Sequence, residues 1–201
     1  VEGHPEYAAA LNGLQFDHRG PVKRIAAAVD VSQRAIQGAA DAGANFLIVH
    51  HGLFWAGAQP VVGALYQRFR LLFERDMAVY SAHLPLDSHP EFGNNVLLAK
   101  TLGLVPSRPF AYYQGTPTGV AGDADMPTEA LVRLADAFAR QHGGTARSTL
   151  LAPGQRTRRW AICTGAGASS ETLREAEAAN IDTLITGEGP HWSYTAAEEL
   201  G

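Results

Sequence analysis

Two adjacent histidines, His50 and His51, close the apolar run Phe46-Leu47-Ile48-Val49, and a second segment delivers His83-Leu84-Pro85-Leu86-Asp87. Imidazole and carboxylate together form the donor set of zinc, iron, nickel and manganese sites. Four apolar residues ending in imidazoles read as a strand of a covered sheet that carries polar side chains to its C-terminal edge. Open α/β sheets keep their binding crevices at that edge. Neighbouring strand residues point to opposite faces, so both histidines can serve one site only where the backbone turns. Gly52 allows such a turn. Imidazoles splayed from a turn suit two different ions, and ions about 3.5–4 Å apart need a shared anionic ligand. Asp87 is the candidate for that carboxylate.

Each of these residues also has an ordinary use when taken alone. A His-His pair is commonly a surface feature, His83 could be a core histidine bonded to backbone, and Asp87 could head an Asx-turn. His89, beside Pro90, reads as a surface turn; His4, His18 and His142 have no motif around them and read as surface residues. The combination of His50, His51, His83 and Asp87 at two neighbouring strand ends is what points to a metal centre. Other catalytic templates are missing: there is no G-x-S-x-G elbow and no Walker A loop. Thr164-Gly165-Ala166-Gly167-Ala168 lacks the full dinucleotide spacing and reads as a tight strand–helix turn.

The elements that must position these residues follow from periodicity. Val22 to Val29 reads as a strand. Ser32 caps a helix with Ala35, Ile36, Ala39 and Ala40 on one face, Gly43 suits its end, and Phe46–Val49 is the next strand. That is a βαβ unit with a parallel pair and a right-handed crossover. Leu65, Phe69, Leu72 and Phe73 give a helical stripe. Met77–Ala82 is a third strand, and Asn95 to Leu102 a helix closed by Gly103. Pro106 to Asp125, rich in Gly, Pro and Thr, reads as loop or edge-strand material and marks the boundary between halves. Beyond it, Pro127 opens a helix through Leu131, Leu134, Ala135 and Phe138. Trp160–Cys163 is a strand, Ser169 or Ser170 caps a helix through Leu173 and Ala176, and Ile181–Ile185 is a strand. The expected organisation is therefore a first α/β half over 1–105, a connection over 106–126 and a second α/β half over 127–201.

The two halves repeat each other. Ala39 to Trp55 aligns without a gap on Ala176 to Trp192, with Leu47, Ile48, Gly52 and Trp55 falling on Leu184, Ile185, Gly189 and Trp192. Asn45 falls on Asp182 and Ser32 on Ser169. His51 then corresponds to Glu188, and two half-sites facing each other across a cleft would follow.

Composition bounds the rest. The 46% hydrophobic content is ample for a buried core, and the net charge of −4 gives no polyanion-binding footprint. Arg156, Arg158 and Arg159 read as a solvated turn before a strand. No apolar run approaches the ~20 residues of a membrane span, and the N-terminus has no signal-peptide order. Cys163, the single cysteine, cannot form an intrachain disulfide and reads as a packed, inert thiol that fits a reducing cytoplasm.

Four strings, in order along nearly the whole chain, carry a resemblance: Asn12-Gly13-Leu14-Gln15; Val49-His50-His51-Gly52-Leu53-Phe54-Trp55; His83-Leu84-Pro85-Leu86-Asp87 with Gly93-Asn94-Asn95; and Thr186-Gly187-Glu188. The sequence resembles the NIF3-like dinuclear metal centre family, also catalogued as GTP cyclohydrolase 1 type 2 homologues, in its short bacterial form. The resemblance implies two related α/β halves with largely parallel sheets, a metal site in the cleft between them, and a toroidal hexamer. It implies two divalent ions per chain (Zn, Fe, Mn or Ni), with His50 and His51 as ligands to the two ions and Asp87 as the carboxylate. His83 and Glu188 would line the site as proton-shuttling catalytic residues. A metal-dependent hydrolase that opens the guanine imidazole of GTP is the implied activity, with a non-catalytic metal-binding scaffold or regulatory protein as the alternative. The family's C-terminal G-H-x-x-x-E segment does not occur here. A helix over Ser193 to Leu200 followed by Gly201 calls for a returning strand, so the sequence reads as a fragment that would bind metal weakly and assemble poorly.

Overall fold

The computed structural model describes residues 4–55 and 57–201. The chain divides between Leu86 and Asp87 into two compact units. The first contains β1 (Gly13–Phe16), β2 (Ile25–Asp30), α1 (Gln33–Asp41), β3 (Phe46–His51), α2 (Gly63–Arg75) and β4 (Ala78–Ser81); the short helix α3 (Leu84–Asp87) runs across the division. Its sheet has the order β1-β4-β3-β2, with β2, β3 and β4 parallel and β1 antiparallel to β4. Ser32 starts α1 as expected: its hydroxyl accepts the Ala35 N–H at 3.1 Å. Ile36 and Ala39 of α1 pack with Leu72 of α2 on Leu47, Val49 and Val79 of the sheet. Phe73, expected on the buried stripe of α2, is 71% exposed and meets Phe16 edge-on at a centroid distance of 4.8 Å. Eight residues at 3.6 per turn carry it about 80° round the helix from Leu65, to the margin of the stripe.

His18 departs from its expected surface position. Its imidazole is 6% exposed, and neither ring nitrogen has a hydrogen-bond partner among the described residues, the Asp17 carboxylate standing 3.8 Å from Nδ1. A buried, unsatisfied polar group costs about 1–3 kcal/mol, so His18→Leu is expected to stabilise the protein by about 1 kcal/mol in urea unfolding. A loss of stability in that variant would mean the imidazole is satisfied in solution.

The second unit contains α4 (Asn94–Thr101), β5 (Arg108–Tyr113), β6 (Thr116–Pro127), α5 (Thr128–Gln141), β7 (Arg156–Cys163), α6 (Ser170–Ala178), β8 (Thr183–Thr186) and α7 (His191–Leu200). Its sheet has the order β5-β6-β7-β8, antiparallel through β7 and parallel only at β7–β8. The parallel character expected of both halves holds for β2, β3 and β4 of the first sheet, whose edge strand β1 is antiparallel, and is confined to one pair in the second. The Gly-, Pro- and Thr-rich stretch over 106–126 forms most of the β5–β6 hairpin. Its glycines serve close packing: a Cβ on Gly119 would stand 2.6 Å from the Ile162 carbonyl oxygen, and one on Gly122 would stand 2.6 Å from the Trp160 ring. The division of the chain precedes α4, because Ala99 and Leu102 bury themselves with Leu131, Trp160 and Ile162. Alternate residues of β7 serve opposite faces: Trp160 and Ile162 join that cluster, while Ala161 and Cys163 pack with Phe110 and Ala176. Covering on both faces explains why Trp160–Cys163 is an unbroken apolar run. Burial, aided by the Asp87 carboxylate, pushes the Cys163 thiol up to about 11, which makes it the inert thiol its surroundings suggested.

The internal repeat is visible in hydrogen bonds within each unit. Ser169 caps α6 by accepting the Thr172 N–H at 3.1 Å, as Ser32 caps α1. The Asn45 side-chain oxygen accepts from Lys23 N and Arg24 N; the Asp182 carboxylate accepts from Arg158 N and Arg159 N. Asn45 N donates to Arg24 O, and Asp182 N donates to Arg159 O. Both helices end on left-handed residues, Gly43 at φ +78° and Asn180 at φ +52°. The residue types differ for a chemical reason. Asn45 also donates to Pro21 O, which a carboxylate cannot do, whereas Asp182 also accepts from the Thr183 hydroxyl.

Candidate metal centre

β3 runs two residues further than the apolar run suggested. Its pairing with β2 continues to Asp30↔His51, while its pairing with β4 stops at Val49↔Ser81. His50 and His51 therefore stand on strand backbone beyond the end of β4, with His83 two residues past that end. No turn is needed to bring the pair together. Side chains lean along the strand direction, and at an unpaired strand end both rings reach the same region. Ring centroids lie 4.8 Å apart for His50 and His51, 4.7 Å for His50 and His83, and 5.4 Å for His51 and His83. One ligand nitrogen from each histidine lies within 4.8 Å of the others.

Each imidazole is held through Nδ1. His50 Nδ1 lies 3.0 Å from Ala82 O, His51 Nδ1 lies 2.8 Å from Asp30 Oδ1, and His83 Nδ1 lies 2.9 Å from Glu6 Oε1. A carbonyl and two carboxylates only accept, so each ring donates from Nδ1, and in its neutral form the lone pair lies on Nε2. Metal-binding histidines characteristically have this outward anchoring. Three imidazoles within 4.8 Å are close to what an ion needs. Bonds of about 2.0–2.1 Å in a tetrahedral site put donor atoms about 3.3 Å apart, a closure within reach of small ring rotations. The three histidines are placed to hold a metal ion.

Two anchoring carboxylates, Asp30 and Glu6, escaped the sequence reading. Asp30 had a signal: it is the polar residue ending β2 directly across from His51. Glu6 had none, since 77 residues separate it from His83. Its carboxylate accepts from Tyr7 N and His83 Nδ1 on one oxygen, and from Asn12 Nδ2 and Leu84 N on the other. Burial raises the pKa of this carboxyl, but the bonds from Asn12, His83, Tyr7 and Leu84 outweigh it and hold the group below the usual carboxylate range. Asn12 adds a second tie by accepting His83 N at 2.8 Å. Trp55 lies edge-on to His83 at 4.3 Å and to His51 at 5.1 Å, and Tyr7 lies 5.6 Å from His83. Gly52 leaves room for Gln15, whose carboxamide accepts Leu53 N at 2.6 Å and would collide with a Cβ at that position.

Asp87 and Glu188 belong to the second unit. Asp87 Oδ1 accepts from Asn94 Nδ2 at 2.9 Å, and its backbone carbonyl accepts from Asn95 Nδ2 at 3.2 Å. Glu188 is exposed just beyond β8, with its N–H on Gly165 O at 2.8 Å. His89 caps its own turn by accepting from Glu91 N and Phe92 N, and His142 is exposed; both match the expected surface roles.

The family model for Duf34/NIF3 (NGG1p interacting factor 3) matches residues 6–201. The chain belongs to the Duf34/NIF3 family. Among curated relatives of this NIF3 chain is a Deinococcus radiodurans protein named GTP cyclohydrolase 1 type 2 homolog. It is 40% identical over 200 residues, covering 96% of this chain and 72% of that relative. A Halobacterium salinarum protein of the same name is 41% identical, covering 98% of this chain and 78% of its own length. The solved structure described as protein ybgI, of unknown function, superposes with a TM-score of 0.84 at 32% identity, covering 98% of this chain and 76% of that one. The NIF3 assignment rests on both sequence and fold. Among the described residues, no helix is long and apolar enough to cross a membrane.

Proposed function

We propose that this NIF3 chain is a metal-dependent hydrolase built on two divalent ions. The observation that carries the reading is the cluster of His50, His51 and His83, whose ligand nitrogens lie within 4.8 Å while every Nδ1 is tied outward. His50 and His51 would hold the two ions, and Asp87, whose Oδ1 accepts from Asn94 Nδ2, would supply the carboxylate. Divalent ions in such a site polarise the bond under attack and make water a nucleophile near neutral pH. His83 and Glu188 move the proton: His83 is the better positioned, because Glu6 and Asn12 hold both its ring and its backbone. The name shared by the relatives points to hydrolytic opening of a guanine nucleotide as the reaction to screen first. A cytoplasmic setting, supported by the buried free thiol of Cys163, and assembly as a hexamer complete the reading.

Elemental analysis of the protein, His50→Ala and Asp87→Ala, paired with a chromatographic assay for ring-opened product from GTP, tests this. About two ions per chain, lost in both variants, together with ring opening by the intact protein, is the expected result. Metal without turnover would leave the scaffold reading in its place. No bound metal under gentle purification would overturn both.

A further inference from the structure

The histidine cluster is served by a residue that no motif contains. We infer that Glu6 is a positioning residue of the metal centre, setting the tautomer of His83 so that Nε2 is the nitrogen that takes up the proton; this rests on the reading above, in which His83 moves the proton. The side chains of Glu6 and His83 are each 9% exposed, so their 2.9 Å contact is shielded from water. The Glu6 carboxylate is surrounded entirely by donors: Tyr7 N at 2.8 Å and His83 Nδ1 on Oε1, Asn12 Nδ2 at 2.9 Å and Leu84 N at 3.1 Å on Oε2. Only a group that accepts on both atoms satisfies all four. The Asn12 carboxamide cannot turn round to relieve the demand, because its Oδ1 already accepts His83 N. Asp30 makes the same kind of bond to His51 but is 68% exposed, where water can replace it.

Glu6→Gln exposes the logic. A carboxamide has one accepting atom and one NH2. If its oxygen stays with Asn12 and Leu84, its NH2 faces His83 Nδ1, and the ring must accept there and carry its proton on Nε2. The lone pair that takes up the proton is then on Nδ1, turned toward residue 6. A residue that merely pins the N-terminal segment would change stability without changing the tautomer.

The test is 15N NMR of the imidazole nitrogens in metal-free protein at a pH where the rings are neutral, with zinc affinity measured in parallel by chelator competition. In the native protein His83 should show a pyrrole-like Nδ1 and a pyridine-like Nε2. In Glu6→Gln the two should exchange character, while zinc affinity should fall less than it does in His50→Ala. Retention of the Nδ1–H form in Glu6→Gln, with a far-UV spectrum like the native one, would overturn the inference whatever the zinc affinity. If the native protein bound no zinc, the metal-centre reading would fall, while the NMR comparison would still decide the role of Glu6. Glu6→Asp, which keeps the accepting group on a shorter stem, should retain the native tautomer.

Discussion

Zinc supplied at a hundred times its dissociation constant to chelator-treated protein is expected to stabilise the folded state by about 2.7 kcal/mol. Replacing His50, His51 and His83 together by alanine should abolish that gain. The effect is large because the structure has already oriented the rings: Ala82, Asp30 and Glu6 fix them before any ion arrives. Hydrogen exchange gives the direct measurement, since zinc should slow the amides of β3 and β4 most. Equal stabilisation of the triple variant would place the bound zinc elsewhere on the chain.

A second substitution, far from any lone pair, should cost comparably. Asn95 is 0% exposed and ties three segments of the second unit together. Its Nδ2 donates to Asp87 O and to Thr118 O at 2.6 Å, and its Oδ1 accepts Thr164 N at 2.7 Å. Asn95→Leu matches the volume roughly but leaves one donor and two acceptors without partners. At about 1–3 kcal/mol for each such group, partly relieved by water, a loss of about 3 kcal/mol in urea unfolding is expected. A loss below about 1 kcal/mol would show that the knot adds little. Asn94, beside it, holds the Asp87 side chain. The Gly93-Asn94-Asn95 string thus couples the posture of Asp87 to the fold of the second unit.

The sequence made the strand–helix order legible because its punctuation is strong. Ser32 and Ser169 cap helices, Gly43 and Gly103 end them with positive φ, and β3 and β7 are recognisable apolar runs. It misled where one composition has two physical uses. Gly119 and Gly122 resemble loop glycines but sit in a strand, because a carbonyl and an indole leave no room for a side chain. The division of the chain was obscured because α4 follows the first unit in sequence yet buries Ala99 and Leu102 with Trp160. At the site, His50, His51 and His83 could be read from strand-end position. The supporting shell could not. Glu6 reaches His83 across 77 residues, and nothing local to Glu6 announces it. The backbone route to the cluster also differed: strand pairing lost on one side only does what a turn was expected to do.

The matched clamps of Asn45 and Asp182 sit at the lower ends of β2 and β7, whereas His51 and Glu188 stand at or just beyond the upper ends of β3 and β8. The clamps and the reactive groups therefore occupy opposite ends of each copy, while the Ser32 and Ser169 caps follow the upper ends of β2 and β7. Substituting the side chain of His51 or Glu188 leaves the clamps untouched. One copy can carry imidazoles and the other a carboxylate while both keep the same turn geometry. Divergence of the rims is the evolutionary freedom that this architecture gives a doubled βαβ unit: new chemistry can be tried on one copy without unfolding either.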